Sequence, residues 1–198
     1  MTKSEAVEMF DQERVRMHRN QEAEKQHSLI VEVVSPGSSS FTRLKKEMYI
    51  SDDYEAELRD LVKQKKAVVL AVEAGGRYVG RVTLRHDWGD ETPIIEKDFP
   101  GLPQINALEI DEDHRRRGLA TMLITAAENE ARRQGFSTIG LSVEISNEPA
   151  KRLYEKLGYS YQQVGGSDTY DFLFGKPNPQ TYKLRLMTKS LQTEANHG

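Results

Sequence analysis

Cysteine is absent from the 198 residues. Disulfides, thiolate metal sites and a cysteine nucleophile are excluded with it. Long apolar runs are missing too. No stretch approaches the roughly 18 residues that a membrane-spanning helix needs. Met1 to Lys25 is dominated by charged and polar side chains and has no apolar centre of the signal-peptide kind. A surplus of positive charge is also lacking, since 28 Lys and Arg stand against 31 Asp and Glu and the net charge is −3. Nucleic-acid-binding domains are usually clearly basic, so that class is disfavoured. The histidines are scattered, and nothing has metal-ligand spacing. These absences leave a soluble, cytoplasmic protein for which no metal, membrane or nucleic-acid partner is expected.

Hydrophobic residues make up 37% of the chain, enough for one core at this length. The expected organisation is a polar helical extension over 1–28, one domain over 29–188 and a tail over 189–198. In the extension, Val7, Phe10 and Met17 form a thin apolar stripe. That helix is either laid against the domain or used in a homodimer contact. Leu29 to Val34 reads as a strand closed by Ser35, Pro36 and Gly37. Phe41 to Met48 and Asp52 to Lys65 read as helices, the second capped by Asp52 or Asp53. Ala67 to Val72 and Tyr78 to Leu84 are strands, and Gly75-Gly76 between them supplies a tight hairpin turn.

His86 to Pro103 shows no clear periodicity and reads as a long functional or mobile loop. Its Asp87, Trp88, Asp90, Glu91, Glu96 and Asp98 suit a cationic amine, through charge and a cation–π contact, with an ordinary solvated surface loop as the alternative. Strands follow at Ile105 to Asp111, Thr138 to Val143, Tyr159 to Val164 and Tyr182 to Met187. Between them run a helix carrying Leu119, Met122, Leu123 and Ala126 on one face, and another carrying Ala150, Leu153, Tyr154 and Leu157. Val164 to Asp168 reads as a further turn. The order points to an α/β fold with a mixed sheet.

The most informative segment runs from Asp111 through Arg115-Arg116-Arg117-Gly118-Leu119-Ala120. A strand feeds a turn of arginines and a glycine, and a helix starts there. A helix N-terminus already carries partial positive charge and unpaired N–H groups. Three arginines at that end are electrostatically misplaced unless an anion docks beside them. The plainer alternative is that Asp111, Glu112 and Asp113 neutralise them on a solvated surface.

Arg115-x-x-Gly118-x-Ala120 resembles the first signature of the GCN5-related N-acetyltransferase (GNAT) family. Asn147, Ala150, Leu153, Tyr154, Gly158 and Tyr159 resemble its second signature. The resemblance implies a V-splayed mixed sheet flanked by helices, with acetyl-CoA as co-substrate. It implies that the backbone of Leu108, Glu109 and Ile110 pairs with the pantetheine arm. Arg115, Arg116, Arg117, Gly118, Leu119, Ala120 and Thr121 would hold the pyrophosphate, and Asn147 would touch the cofactor. Tyr154 stands where the family often places a general acid, and the N–H of Ile110 suits an oxyanion donor. Some relatives carry a glutamate base at the position of Ser142, so this chain departs from that pattern. Glu109 and Glu144 are the candidate bases, with a water chain as the alternative. The expected reaction is acetyl transfer to a primary amine, with a small cationic molecule favoured over a protein amino group. A non-catalytic module that binds acyl-CoA is the rival reading.

Overall fold

The computed structural model describes residues 29–88, 93–174 and 179–192. The expected N-terminal helix, Asp90, Glu91 and the last six residues lie outside that range. The described chain runs β1 (Ile30–Val33), α1 (Ser39–Glu47), α2 (Asp52–Lys63), β2 (Ala67–Ala74) and β3 (Arg77–Arg85). It continues with α3 (Pro93–Asp98), β4 (Gln104–Ile110), a 3₁₀ turn (Glu112–His114), α4 (Leu119–Arg133) and β5 (Thr138–Glu144). The last elements are α5 (Glu148–Lys156), β6 (Ser160–Gln162), β7 (Tyr170–Phe174) and β8 (Gln180–Ser190). No described helix is long and apolar enough to cross a membrane.

The sheet has the order β1-β2-β3-β4-β5-β8-β6, with β7 also on β8. Every pairing is antiparallel except β4 with β5. That pair is joined only at Gln104–Gly140 and Ile105–Leu141. Both strands continue past it, so the sheet opens there into a V. A bulge accompanies the opening. Arg81 lies opposite Glu109 while Thr83 lies opposite Asn106, so three steps of β4 face two of β3. Ala107 takes φ +49° within it. An extra residue bends its strand and raises the local twist, which carries the end of β4 away from β5.

Helices cover both faces. Leu119, Leu123, Ile124, Ala127 and Ala131 form the buried stripe of α4, recurring at helical spacing. They pack with Val82, Ile139 and Tyr154 on one face, called the back. On the front, Phe41 and Leu44 of α1 and Leu58 of α2 cover Val69, Ala71 and Tyr78. A smaller front cluster joins Trp88, Ile95, Leu102, Val164 and Leu186.

Several expectations need correction. The segment 86–103 is not one loop, because α3 forms within it and buries Ile95. Ser51, rather than Asp52 or Asp53, caps α2, its Oγ accepting from the N–H of Tyr54 at 3.2 Å. The two aspartates sit in the first turn, where negative charge suits the helix dipole. β7 was not expected at all. β8 runs to Ser190 and Leu191 beyond it is buried, so ordered structure continues past residue 188. The Gly75-Gly76 hairpin is present, with φ of +59° and +79° as a two-residue primed turn requires.

Candidate active site

The cradle at the start of α4 is built from the turn upward. Asp111 Oδ1 accepts from the N–H of Asp113 at 3.0 Å and lies 3.3 Å from His114 Nδ1. The hydrogen bond with His114 holds the Asp111 carboxyl below the usual carboxylate range. After this turn, Arg116 adopts φ +63° and Gly118 φ +79°. Gly118 is the N-cap of α4 and provides no side-chain cap. The first-turn N–H groups of Leu119, Ala120 and Thr121 therefore lack the acceptor that a Ser or Asp cap would offer. A Cβ built on Gly118 meets nothing within 4 Å, so the turn is open at this point, and Gly118, Leu119, Ala120 and Thr121 all border a cleft. An uncapped helix N-terminus with room before it fits a pyrophosphate.

The three arginines divide. Arg115 is occupied, with Nη1 3.0 Å from Glu112 Oε1 and Nε donating to the carbonyl of Ile110 at 3.2 Å. Arg116 lines the cleft and, among the described residues, forms no ion pair. Arg117 is exposed and is not among the cleft-lining residues. Local neutralisation thus accounts for Arg115 but leaves Arg116 free for an anion.

A cleft of about 1030 Å³ runs from this cradle along the open edge of β4 to α5. Leu108, Glu109, Ile110, Gly118, Leu119, Ala120, Thr121, Asn147 and Tyr154 all line it. The N–H of Asp111 donates to the carbonyl of Val79, and Gly80 lies opposite Ile110. Backbone groups alternate in direction along an antiparallel pair, so Ile110 turns its N–H away from β3 and into the V. By the same alternation Glu109 turns its backbone toward β3. Asn147 has a structural role too: its Oδ1 accepts from the N–H of Ala150 at 3.2 Å and caps α5.

Tyr154 sits on the buried face of α5, 9% exposed, its ring edge-on to Tyr159 with centroids 6.0 Å apart. Its hydroxyl has no hydrogen-bond partner among the described residues. Burial raises its pKa, so the phenol stays protonated through neutral pH. A protonated, unengaged hydroxyl in a cleft is suited to giving a proton away.

The candidate bases fare differently. Glu109 lines the cleft, but its carboxylate is held by Arg81, at 3.0 Å to Nη2 and 3.2 Å to Nε. Arg81 is itself buried and lies under the ring of Tyr54. Glu144 is exposed at the end of β5 and is not among the cleft-lining residues. The acidic loop is also redirected. Trp88 is buried and its Nε1 donates to the carbonyl of Leu102 at 2.8 Å, so it offers no ring face to an incoming cation. Asp87 pairs with Arg85 and Lys66, each at 3.3 Å. Glu96 accepts from the N–H of Gly101 and Asp98 from that of Gly165.

Glu47, Met48 and Tyr49, to which no sequence motif points, close the cleft from the end of α1. Tyr49 is 93% exposed at φ +53°, where a helix end usually has glycine. A large apolar ring just after a helix was the available signal.

Replacing Gly118 with valine tests the cradle. The branched side chain is strained at φ +79° and projects into the space before the free N–H groups. Affinity for acetyl-CoA, measured by calorimetric titration, should fall about tenfold or more, roughly 1.4 kcal/mol. Unchanged affinity in a folded variant would move the anion site elsewhere.

Comparison with known proteins agrees with this geometry. The sequence model of the Acetyltransferase (GNAT) family matches residues 38–159. An N-alpha-acetyltransferase of Sulfurisphaera tokodaii is 29% identical over 120 residues, covering 55% of this chain and 70% of that protein. N-acetyltransferase 8 of Mus musculus is 26% identical over 151 residues, covering 69% of this chain and 63% of that protein. Among solved structures, an N-acetyltransferase from Staphylococcus aureus superposes with a TM-score of 0.60 at 14% identity, covering 83% of this chain and 99% of that one. A GNAT family acetyltransferase from Elizabethkingia anophelis with acetyl-CoA bound gives 0.53 at 14% identity, covering 82% and 97%. A family match over more than half of the chain contains the splayed strand, the uncapped helix start and Tyr154 together, and the chain therefore belongs to the GNAT family of acetyl-CoA-dependent N-acetyltransferases.

Proposed function

We propose that this chain moves an acetyl group from acetyl-CoA to a primary amine in the cytoplasm. The observation that carries the reading is Tyr154, a buried phenol with an unengaged hydroxyl on a cleft whose other end is an uncapped helix N-terminus. Acetyl-CoA, when bound, supplies an acetyl thioester that nitrogen nucleophiles attack. The N–H groups of Leu119, Ala120 and Thr121, with Arg116, bind its phosphates. The open edge of β4 orients the arm between the splayed strands. The N–H of Ile110 is preorganised to donate to charge that develops on a carbonyl oxygen. Tyr154 holds a proton at its hydroxyl for the sulfur that leaves. Holding both reactants in one cleft accounts for much of the remaining acceleration.

The preference for a small cationic acceptor rested on the acidic loop, and its described carboxylates are engaged elsewhere. A peptide α-amino group therefore stands beside small amines, a reading supported by the name of the Sulfurisphaera tokodaii relative. The rival non-catalytic module gains no support from a free tyrosine hydroxyl at the cleft.

Cofactor binding tests the reading first. Acetyl-CoA at a hundred times its dissociation constant should raise stability by about 2.7 kcal/mol, read as a thermal shift. A screen for free thiol with putrescine, kanamycin and a tetrapeptide bearing a free α-amino group then tests transfer. No thermal shift at millimolar cofactor would sink the proposal, and binding without turnover on any acceptor would favour the module.

A further inference from the structure

A second polar cluster occupies the front side of the V, across the sheet from the α4–α5 core that holds Tyr154. β4 and β5 are last paired at Ile105–Leu141, and both of these side chains face the back core. Asn106 and Ser142 are the next residues on each strand. Side chains alternate along strands, so both point to the front where the strands part. On the β4 side, the Tyr54 hydroxyl lies 3.5 Å from Asn106 Oδ1 and 3.4 Å from Thr83 Oγ1. On the β5 side, Ser142 Oγ is hydrogen-bonded to the Tyr170 hydroxyl. Tyr170 is fixed by its place on β7, opposite Leu184 of β8, and by packing on the front cluster. Asn106, Ser142, Tyr54 and Tyr170 are all half-buried, neither sealed in the core nor fully solvated.

The hydrogen-bond inventory of this pair is incomplete. Two hydroxyls that share one hydrogen bond still have one O–H and several lone pairs to satisfy. Burial pushes the Tyr170 pKa up to about 12, so the pair is neutral at physiological pH and neither member serves as a base. A neutral primary amine matches what is left, because it can donate an N–H while keeping its lone pair for attack.

We propose that Ser142, held in place by Tyr170, orients the acceptor nitrogen: an amine N–H donates to Ser142 Oγ and the nitrogen lone pair is thereby aimed into the V. Ser142 touches the acceptor, and Tyr170 is its positioning residue. The C–N bond forms as the C–S bond breaks, and the extra amine proton leaves to solvent. This inference rests on the acetyl transfer proposed above and deepens it by naming the group that receives the amine.

The test uses the full chain with acetyl-CoA and, as acceptors, benzylamine, putrescine and a tetrapeptide with a free α-amino group. Tyr170→Phe keeps the ring that packs on the front cluster, and Ser142→Ala removes only a hydroxyl. Each should lower acceptor kcat/KM by about tenfold, with acetyl-CoA affinity held within about twofold. The double variant should be no worse than Ser142→Ala alone, as residues acting through one contact require. Ser142→Thr should restore most of the loss. Because no side chain of the pair takes the proton, the alkaline rise of kcat/KM should follow the acceptor's own pKa, shifting between benzylamine and putrescine. Wild-type acceptor kinetics in both folded variants would overturn the inference, as would an equal loss of acetyl-CoA affinity or additive losses in the double variant. Those results leave acetyl transfer standing. Failure of the unaltered chain to acetylate any acceptor while binding acetyl-CoA would remove the function itself, and this role with it.

Discussion

Tyr154→Phe should lower turnover by about 10²–10⁴-fold, the usual contribution of a general acid, and leave acetyl-CoA affinity nearly unchanged. The substitution keeps the ring that packs in the back core and stacks edge-on to Tyr159. It removes a hydroxyl that makes no hydrogen bond among the described residues, so little stability depends on it. In the proposed function the cofactor is held elsewhere, by the first turn of α4 and the edge of β4. Turnover and kcat/KM should therefore fall by similar factors, the pattern of an interaction made chiefly in the transition state. Slow product release would mask part of the effect, and single-turnover measurement removes that ambiguity. A variant with the wild-type single-turnover rate would make Tyr154 a packing residue and leave thiolate departure without an acid from this position.

The second large effect concerns stability behind the site. Glu128 of α4 is almost fully buried, its side chain 5% exposed. Lys189 Nζ of β8 donates to both of its oxygens at 2.8 Å, and the Tyr159 hydroxyl donates to it at 3.1 Å. Arg132 stands further off at 3.6 Å. Glu128→Ala leaves the ammonium and the phenol without their acceptor. Breaking a buried pair from one side typically costs about 3–5 kcal/mol. Lys189 retains 23% exposure and some hydration, so the lower end, about 3 kcal/mol, is expected. The denaturation midpoint should fall accordingly with an unchanged slope. Tyr159 packs on Tyr154, so turnover should fall as well, by less than in Tyr154→Phe. Glu128→Gln keeps one acceptor oxygen and should lose less. A loss below about 1 kcal/mol in Glu128→Ala would class the network with solvent-screened surface pairs.

Much of the local structure around the cleft was legible because its signals are local. A glycine pair flanked by alternating strands makes a hairpin, and it does so at Gly75-Gly76. Arginines and a glycine between a strand and an apolar helical stripe mark an uncapped helix start, and Arg116 and Gly118 take positive φ there. The cap that Asn147 gives to Ala150 is equally local, although the resemblance implied only a cofactor contact there. Each of these needs only residues a few positions apart, so the chain specifies them before it folds.

What the sequence by itself determined, then, is most of the strands and helices, the Gly75-Gly76 hairpin, the helix start after Gly118 and the helix that carries Tyr154. The tertiary structure decided which charged groups are available. Glu109 reads as a candidate base until Arg81, 28 positions away, is seen to hold it. Trp88 reads as a cation receptor until α3 and Leu102 bury it. β7 has no strong pattern of its own and exists because β8 offers it an edge, and only that pairing brings Tyr170 to Ser142. The V itself comes from a bulge at Ala107 that side-chain alternation does not announce. Burial and charge pairing depend on contacts between segments far apart in the chain, and those contacts are set when the layers close over the sheet.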